Sequence, residues 1–135
     1  MEKIIIFTDG GARNNPGPAG IGIVFYDEEG KIIKEYSEYI GETTNNQAEY
    51  RALIKALELV QAYSSKEIEC YLDSELVVKQ LNKEYRVKNE EVKKLYAKVL
   101  DSIIFKNISF HHVPREKNKL ADRLVNKAIN AQMLK

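Results

Sequence analysis

The chain has 135 residues and a formal net charge of +1, and 44% of its residues are hydrophobic. A chain of this size is typical of one domain with its own core, so we expect a single domain over residues 1–135. Its apolar runs are too short to span a membrane, and its near-neutral charge excludes a global field that would attract a polyanion.

The first part of the chain predicts three antiparallel strands, over residues 3–8, 21–26 and 31–40. The first two strands flank the stretch DGGARNNPGPAG, which begins at Asp9. A second strand follows where a phosphate-binding loop would open a helix. We therefore interpret the stretch as a turn whose dihedral angles are supplied by Gly and Pro.

The rest of the chain predicts helices that alternate with two further strands. Apolar side chains at helical spacing predict a helix over residues 46–62, and alternation predicts a strand over residues 68–72. Later segments are a helix from Ser74, a helix over residues 90–100, a strand over residues 108–112 and a helix over residues 120–132. This order predicts an α/β fold, with a five-stranded mixed sheet flanked by helices.

The cysteine content and the start of the chain indicate a compartment. Cys70 is the single cysteine, so no disulfide can form within the chain, which favours the reducing cytoplasm. Met1 is followed almost directly by the first strand, and we expect no signal peptide.

Four carboxylates occupy positions where predicted elements begin or end: Asp9, Glu49, Asp73 and Asp122. Each has an ordinary structural explanation as a turn residue, a helix cap, a capping-box partner or a charge that complements a helix dipole. Glu49 argues against these explanations, because Leu53 and Ala56 follow it on the helix face that packs on the sheet.

A buried carboxylate without a partner is costly, and a divalent cation would compensate that cost. If the first and fourth strands are parallel neighbours, Asp9 and Asp73 emerge side by side at their carboxyl ends. Oxygen ligands without Cys or an obligatory His select Mg²⁺ or Mn²⁺ over zinc.

Four segments extend this pattern along nearly the whole chain: DGGARNNPGPAG, TTNNQAEYRALIKAL, YLDSELVVKQL and NKLADRLVNKA. In this order they resemble type 1 ribonuclease H, and in particular its short archaeal-type branch. The resemblance implies the ribonuclease H fold, neighbouring first and fourth strands, and metal-binding catalytic carboxylates at Asp9, Glu49, Asp73 and Asp122.

The resemblance also implies an activity, the hydrolysis of the RNA strand of RNA/DNA hybrids by an endoribonuclease. Two Mg²⁺ ions, with Mn²⁺ as a substitute, would assist the reaction, which gives 5′-phosphate and 3′-hydroxyl ends. Asp9 would bridge the ions, Glu49 and Asp73 would complete the one on the leaving side, and Asp122 would hold the one beside the nucleophile. Double-stranded RNA is a further substrate that the archaeal-type resemblance suggests, and we expect a cytoplasmic monomer.

Substrate-binding positions follow from the same resemblance. Asn15, Asn45 and Asn46 would lie in the minor groove of the hybrid. The backbone at Gly10 and Gly11, with the Glu49 carboxylate, would contact 2′-hydroxyl groups, since glycine allows a close approach. Thr44 would bind a DNA-strand phosphate, Ser74 is a second phosphate candidate, and Asn118 would flank the site. The ordinary alternatives are turn formation for Asn15 and helix capping for Thr44.

The loop before Asp122 departs from the family pattern. Many members have a histidine there that helps product release, whereas HHVPREKNKLAD gives a shorter loop. Ungapped spacing assigns that role to His112. Alignment of the strand end instead makes His112 a strand residue and gives the role of the family histidine to Arg115. We favour this second alignment, because a cation can stabilise developing phosphate charge.

A second departure concerns substrate affinity. The chain has no tryptophan-rich basic handle between the middle helices, and we expect no separate hybrid-binding domain, so the affinity for the hybrid should be modest. Two other functions remain open. A catalytically weak or inactive nucleic-acid-binding module would be expected to lack a carboxylate, and a 3′ to 5′ exonuclease would normally have a Glu where Gly11 stands.

Overall fold

The apolar, β-branched run at the start of the chain forms the central strand of a sheet. The structure, a computed structural model, describes residues 1–103 and 107–135. The strands are β1 (Lys3–Ala12), β2 (Gly17–Asp27), β3 (Ile32–Thr43), β4 (Glu67–Leu72) and β5 (Ile108–His112). The helices are α1 (Asn45–Leu59), α2 (Glu75–Leu81), α3 (Glu90–Ile103) and α4 (Lys119–Met133), with 3₁₀ turns at Val60–Ala62 and Arg115–Lys117.

The five strands form one mixed sheet in the order β3-β2-β1-β4-β5. β2 pairs antiparallel with β1 and β3, whereas β4 pairs parallel with β1 and β5. This arrangement confirms the predicted α/β fold and the predicted adjacency of the first and fourth strands. The parallel pairing of β1 with β4 ends at Thr8 opposite Leu72, so the next residues along the two segments are Asp9 and Asp73.

β1 and β2 are longer than the sequence predicted. The prediction that Asp9 ends the first strand is wrong, because Asp9 lies inside β1, opposite Gly22 of β2. The antiparallel ladder continues through the glycine-rich stretch as far as Ala12 opposite Ala19. The turn between the strands is therefore confined to residues 13–16.

α1 begins after a side-chain cap. The Thr44 hydroxyl oxygen accepts a hydrogen bond from the Gln47 backbone N–H at 3.2 Å, which satisfies one of the free donors at the helix start. The helix ends at Leu59, earlier than predicted, because its last turn tightens into the 3₁₀ turn Val60–Ala62. Glu49, predicted in the first turn, lies just beyond it.

The two faces of the sheet are covered by different helices. Leu53 and Leu57 of α1 are fully buried in one cluster with Ile4 and Ile6 of β1, and α2 and α3 contribute to the same cluster. Leu124 of α4 packs on the other face of the sheet. Within residues 1–103 and 107–135, no helix has the length and apolar character needed to cross a membrane.

Two glycines of the sheet allow helix backbones to contact it directly. A Cβ atom on Gly10 would lie 2.2 Å from the carbonyl oxygen of Ala48 in α1, and one on Gly22 would lie 2.2 Å from that of Ala121 in α4. Any larger side chain would push the helices away. Ala48 is followed by Glu49, and Ala121 is followed by Asp122, so these glycines determine how close the two carboxylates lie to the sheet.

We expect Gly10→Ala to lower the free energy of unfolding by about 3 kcal/mol, since the added methyl group meets a rigid backbone rather than a mobile side chain. Gly11→Ala is the matched control, because its Cβ would make an ordinary contact of 3.8 Å with Val125. Urea unfolding followed by circular dichroism measures both. Equal stabilities for the two variants would contradict the close approach of β1 and α1.

Candidate active site

Three carboxylates from three separate elements meet at the carboxyl end of the parallel strands. One oxygen each of Asp9, Glu49 and Asp73 lies within 4.8 Å of the other two. Asp9 and Glu49 are buried, and Asp73 is half-buried. The expected juxtaposition of Asp9 and Asp73 is therefore observed, and α1 adds Glu49 from above the sheet.

The fourth candidate carboxylate lines the same cleft without joining this cluster. Asp122 lies in the first turn of α4, as predicted. With the other three carboxylates it lines a cleft of about 400 Å³ that is open to solvent. The negative charge of Asp122 contributes to raising the pKa of Asp9.

Two hydrogen bonds fix the orientation of the clustered carboxylates. The Gly10 backbone N–H donates to Oε1 of Glu49 at 3.3 Å, so Glu49 is oriented by β1 rather than by a capping box at its own helix start. Asn118 donates through Nδ2 to Oδ2 of Asp73 at 3.1 Å and to the Thr8 carbonyl at 2.9 Å. Asn118 is buried and acts on the site through Asp73.

The electrostatics of the cluster are those of carboxylates removed from water. Burial raises the pKa of Asp9 to about 7, and the charges of Asp73 and Asp122 act in the same direction. Burial, followed by the charge of Asp9, holds the pKa of Glu49 well above its usual range. Protons, or cations in their place, are therefore needed to neutralise this cluster.

The same residues fit a divalent cation. Oε2 of Glu49 is buried and has no hydrogen-bond partner among residues 1–103 and 107–135, although it lies within a group of hard oxygen donors. An unpartnered buried carboxylate oxygen is costly in a protein interior, and a divalent cation is the ligand that oxygen donors of this kind bind. The cluster therefore has the chemistry of a metal site.

Most of the predicted substrate-binding residues lie around the cleft. Its lining includes five of them: Gly10, Gly11, Asn45, Asn46 and Ser74. Asn15, Thr44 and Asn118 do not line it, but Asn15 is hydrogen-bonded to Asn45, Thr44 precedes Asn45, and Asn118 is hydrogen-bonded to Asp73. The contact of Gly10 with the α1 backbone gives this glycine a packing role in addition to the predicted approach of a ligand.

The turn between β1 and β2 is tied to the start of α1. Oδ1 of Asn15 accepts the Asn45 backbone N–H at 2.9 Å, and Oδ1 of Asn45 accepts the Ala12 backbone N–H at 2.8 Å. These bonds hold Asn15 and Asn45 against each other at one end of the cleft. Their predicted role in reading a groove stays a prediction.

Two hydroxyl groups cap the helices that start beside the cleft. Thr44 caps α1, and Ser74 caps α2 by accepting the Val77 backbone N–H at 3.3 Å. In both caps the hydroxyl oxygen is the acceptor, so the hydroxyl hydrogen is left to donate to another group.

The two candidates for the missing loop histidine are clearly separated. His112 is the last residue of β5, which confirms that it belongs to the fifth strand. Arg115 opens the 3₁₀ turn that follows, and its side chain lines the cleft with the carboxylates. The catalytic role of Arg115 stays a prediction.

One part of the cleft wall was not predicted from the sequence. Arg13, Val125, Asn126 and Ile129 also line the cleft. Asn126 is four residues after Asp122 on α4, and this helical spacing was a usable signal. Arg13 could not be found in this way, because its contact with α4 joins residues that are more than a hundred positions apart.

Comparison with known proteins identifies the family. The family model described as reverse transcriptase-like matches residues 7–128. The structure of LC11-RNase H1 in complex with an RNA/DNA hybrid superposes with a TM-score of 0.92 at 51% identity, covering 96% of this chain and 99% of that one. RNase H1 from Halobacterium salinarum gives a TM-score of 0.92 at 37% identity, covering 96% and 98%. The chain belongs to the type 1 ribonuclease H family.

Membership of this family confirms the resemblance and the ribonuclease H fold. The bifunctional protein Rv2228c of Mycobacterium tuberculosis is 42% identical over 132 residues, covering 96% of this chain and 36% of the mycobacterial protein. The chain thus spans about a third of the length of these mycobacterial relatives.

We expect the metal-free protein to lose stability as the pH rises from about 4 to about 7. A carboxyl group with a raised native pKa keeps its proton in the folded state after the unfolded chain has released it. The folded state is therefore favoured at low pH, and this advantage is lost as the pH passes the native pKa.

Urea unfolding in EDTA at pH 5 and pH 8 measures this loss. Asp9→Asn should reduce it by roughly 2 kcal/mol, because the amide does not ionise. Asp101→Asn, an exposed position on α3, should leave it unchanged. An equal loss in wild type and Asp9→Asn would contradict the assignment of the raised pKa.

Proposed function

We propose that this chain is a metal-dependent endoribonuclease that hydrolyses the RNA strand of RNA/DNA hybrids and leaves 5′-phosphate and 3′-hydroxyl ends. The observation that supports it best is the oxygen cluster of Asp9, Glu49 and Asp73, all within 4.8 Å, with one buried Glu49 oxygen unpartnered. Family membership and the hybrid complex of LC11-RNase H1 support the choice of substrate.

Asp9, Glu49, Asp73 and Asp122 would hold two Mg²⁺ ions, with Mn²⁺ as a substitute. Bound divalent ions would supply Lewis acidity to the attacking water and to the leaving oxygen. Without cations, the carboxylates around the cleft that are ionised would repel a phosphodiester, which would make substrate binding depend on metal.

The residues around the cleft supply substrate selection. Recognition of RNA requires contacts to the 2′-hydroxyl group, and the exposed amides of Asn45 and Asn46 offer both donors and acceptors at the cleft. The hydroxyl groups of Thr44 and Ser74 would donate to backbone phosphates from their positions at helix starts. Asn15 would act together with Asn45, to which it is hydrogen-bonded.

Arg115 would stabilise negative charge as it develops on the phosphate. Its guanidinium carries a positive charge, and Arg115 lines the same cleft as the carboxylates. Asn118 would hold Asp73 in the orientation that the site requires, through the bond to Oδ2.

We further propose that the protein is a monomer and that double-stranded RNA is a second substrate. The cytoplasm is the expected compartment, since Cys70 is a buried free thiol.

We expect purified protein to cut the RNA strand of an end-labelled RNA/DNA hybrid internally in Mg²⁺ or Mn²⁺ and not in EDTA. Parallel reactions contain matched double-stranded RNA, single-stranded RNA, and hybrids in linear and circular form. Cuts only from a free end would indicate an exonuclease. No cleavage of any substrate by folded protein would indicate a binding module of the same fold.

We expect Asp9→Asn to reduce hybrid cleavage on the order of 10³-fold or more, because one charge is lost at the centre of the cluster while the side-chain shape is kept. Asp101→Asn removes the same charge from an exposed position on α3 and should cleave normally. Single-turnover rates with matched circular dichroism spectra test this. Normal cleavage by Asp9→Asn would contradict the site.

We expect Arg115→Ala to lower kcat about 10- to 100-fold with a small change in KM, since a charge that acts on the transition state is lost. His112→Ala should stay within a few-fold of wild type, because His112 is a strand residue that does not line the cleft. Steady-state kinetics with a short hybrid measure both. A larger effect at His112 would reverse the assignment.

A further inference from the structure

Arg13 occupies one wall of the cleft at some distance from the carboxylates. It follows β1 directly, in the turn that leads to β2. Its Nη2 donates to Oδ1 of Asn126 at 3.3 Å and to Oδ1 of Asn130 at 2.6 Å, both on α4. Arg13 and Asn126 both line the cleft. The guanidinium is therefore held in place at the cleft surface rather than extended into solvent.

The charge of this guanidinium is not neutralised. Its two acceptors are neutral amides, and none of the ion pairs among residues 1–103 and 107–135 includes Arg13. A guanidinium has five N–H donors in a planar fork, and the two bonds to α4 occupy only Nη2. The donors on Nε and Nη1 are left for a ligand, and because they point in different directions each would make its own hydrogen bond.

The anchor belongs to the helix that supplies the fourth carboxylate. Asp122, Asn126 and Asn130 follow at four-residue spacing on α4, and Nδ2 of Asn126 donates to the Asp122 carbonyl at 3.1 Å. The cleft-facing side of α4 thus has a carboxylate at its start and a positively charged guanidinium docked two turns later. A polyanion that lies along α4 would therefore pass the negative charge of Asp122 and then the fixed positive charge of Arg13.

From these contacts we infer that Arg13 binds a backbone phosphate of the hybrid a few nucleotides from the cut bond. The inference rests on the proposed function. Asp9 and Arg13 are four residues apart on nearly extended backbone, which is about 13 Å, or a few phosphate repeats of ~3.4 Å along one strand. A phosphate oxygen accepts a charge-assisted hydrogen bond from a free guanidinium N–H, and its negative charge compensates the free charge of Arg13.

A purely structural role would have a different signature. If Arg13 only tied the turn to α4, its loss would lower stability and leave the salt dependence of hybrid binding unchanged. A phosphate contact changes that salt dependence, because each neutralised phosphate releases condensed counterions. The slope of log Kd against log salt therefore separates the two roles.

The first test measures hybrid binding by fluorescence anisotropy across a salt series, in an Asp9→Asn background with Mg²⁺ so that the RNA stays intact. We expect Arg13→Gln to weaken binding about five- to tenfold near 0.1 M salt and to reduce the salt slope by about one. Arg13→Lys, which keeps the charge but loses the guanidinium that docks on α4, should lie between wild type and Arg13→Gln. Thermal unfolding should be nearly unchanged.

Lys66→Gln is the matched control, because it removes one positive charge from an exposed side chain. Lys66 precedes β4, at the end of the strand opposite Asp73, and its partner is Glu2. The six residues of β4 separate Lys66 from the site by roughly 20 Å, about two Debye lengths at 0.1 M salt. Its salt slope should equal that of the Asp9→Asn background.

The second test locates the phosphate. Hybrids with a single neutral methylphosphonate linkage, moved along each strand in turn, should bind more weakly to the Arg13-containing protein at one or two positions away from the cut bond. Arg13→Gln should lose sensitivity at those positions and keep it elsewhere. This pattern supports a direct contact.

The outcomes distinguish this inference from the function on which it rests. If the Asp9→Asn protein binds hybrid and Arg13→Gln matches it in affinity and slope, the inference is wrong and the proposed function is untouched. If Arg13→Gln loses stability while the slope stays the same, Arg13 is a tether and the inference is again wrong. If the folded wild-type protein neither binds nor cuts hybrid, both are wrong.

Discussion

Mutual repulsion among carboxylates that are held out of water is the constraint on which the rest of this structure depends. Asp9, Glu49 and Asp73 have oxygens within 4.8 Å of each other, and left alone they would separate or keep their protons. The fold prevents separation by hydrogen-bonded strand pairing and by close packing of a helix on the sheet. β1 and β4 are paired up to the residues before Asp9 and Asp73, and α1 lies against Gly10, where no side chain intervenes. Neutralisation is left to protons and cations.

The positions of the negative and positive side chains in the cleft follow from this repulsion. The negative centre is enclosed by the sheet and α1, whereas the positive groups, Arg13 and Arg115, are exposed side chains on short connections that approach from outside. Arg13 keeps its position through α4 rather than through a carboxylate, so it does not neutralise the cluster. A separation of this kind allows one cleft to bind cations at its centre and phosphates at its wall.

Most strands and helices could be predicted from the sequence, because local periodicity determines them, whereas the adjacency of β1 and β4 was expected from the family resemblance. The four candidate carboxylates were selected by their positions and motif order, and all four line one cleft. The extent of β1 could not be predicted. Its last residues are Gly10, Gly11 and Ala12, which have little strand propensity, and they are extended because β2 pairs with them. The hydrogen bond from Asn118 to Asp73 and the docking of Arg13 on α4 could not be predicted either, because both depend on partners distant in sequence.

The contact of Gly22 with the backbone of α4 has a consequence for synthesis of the chain. Asp122 is synthesised long after Asp9, and it reaches the site only after α4 has been made and has docked on β2. Contacts of such long sequence separation are slow to form. A growing chain therefore has an incomplete set of carboxylates in its cleft until α4 has docked.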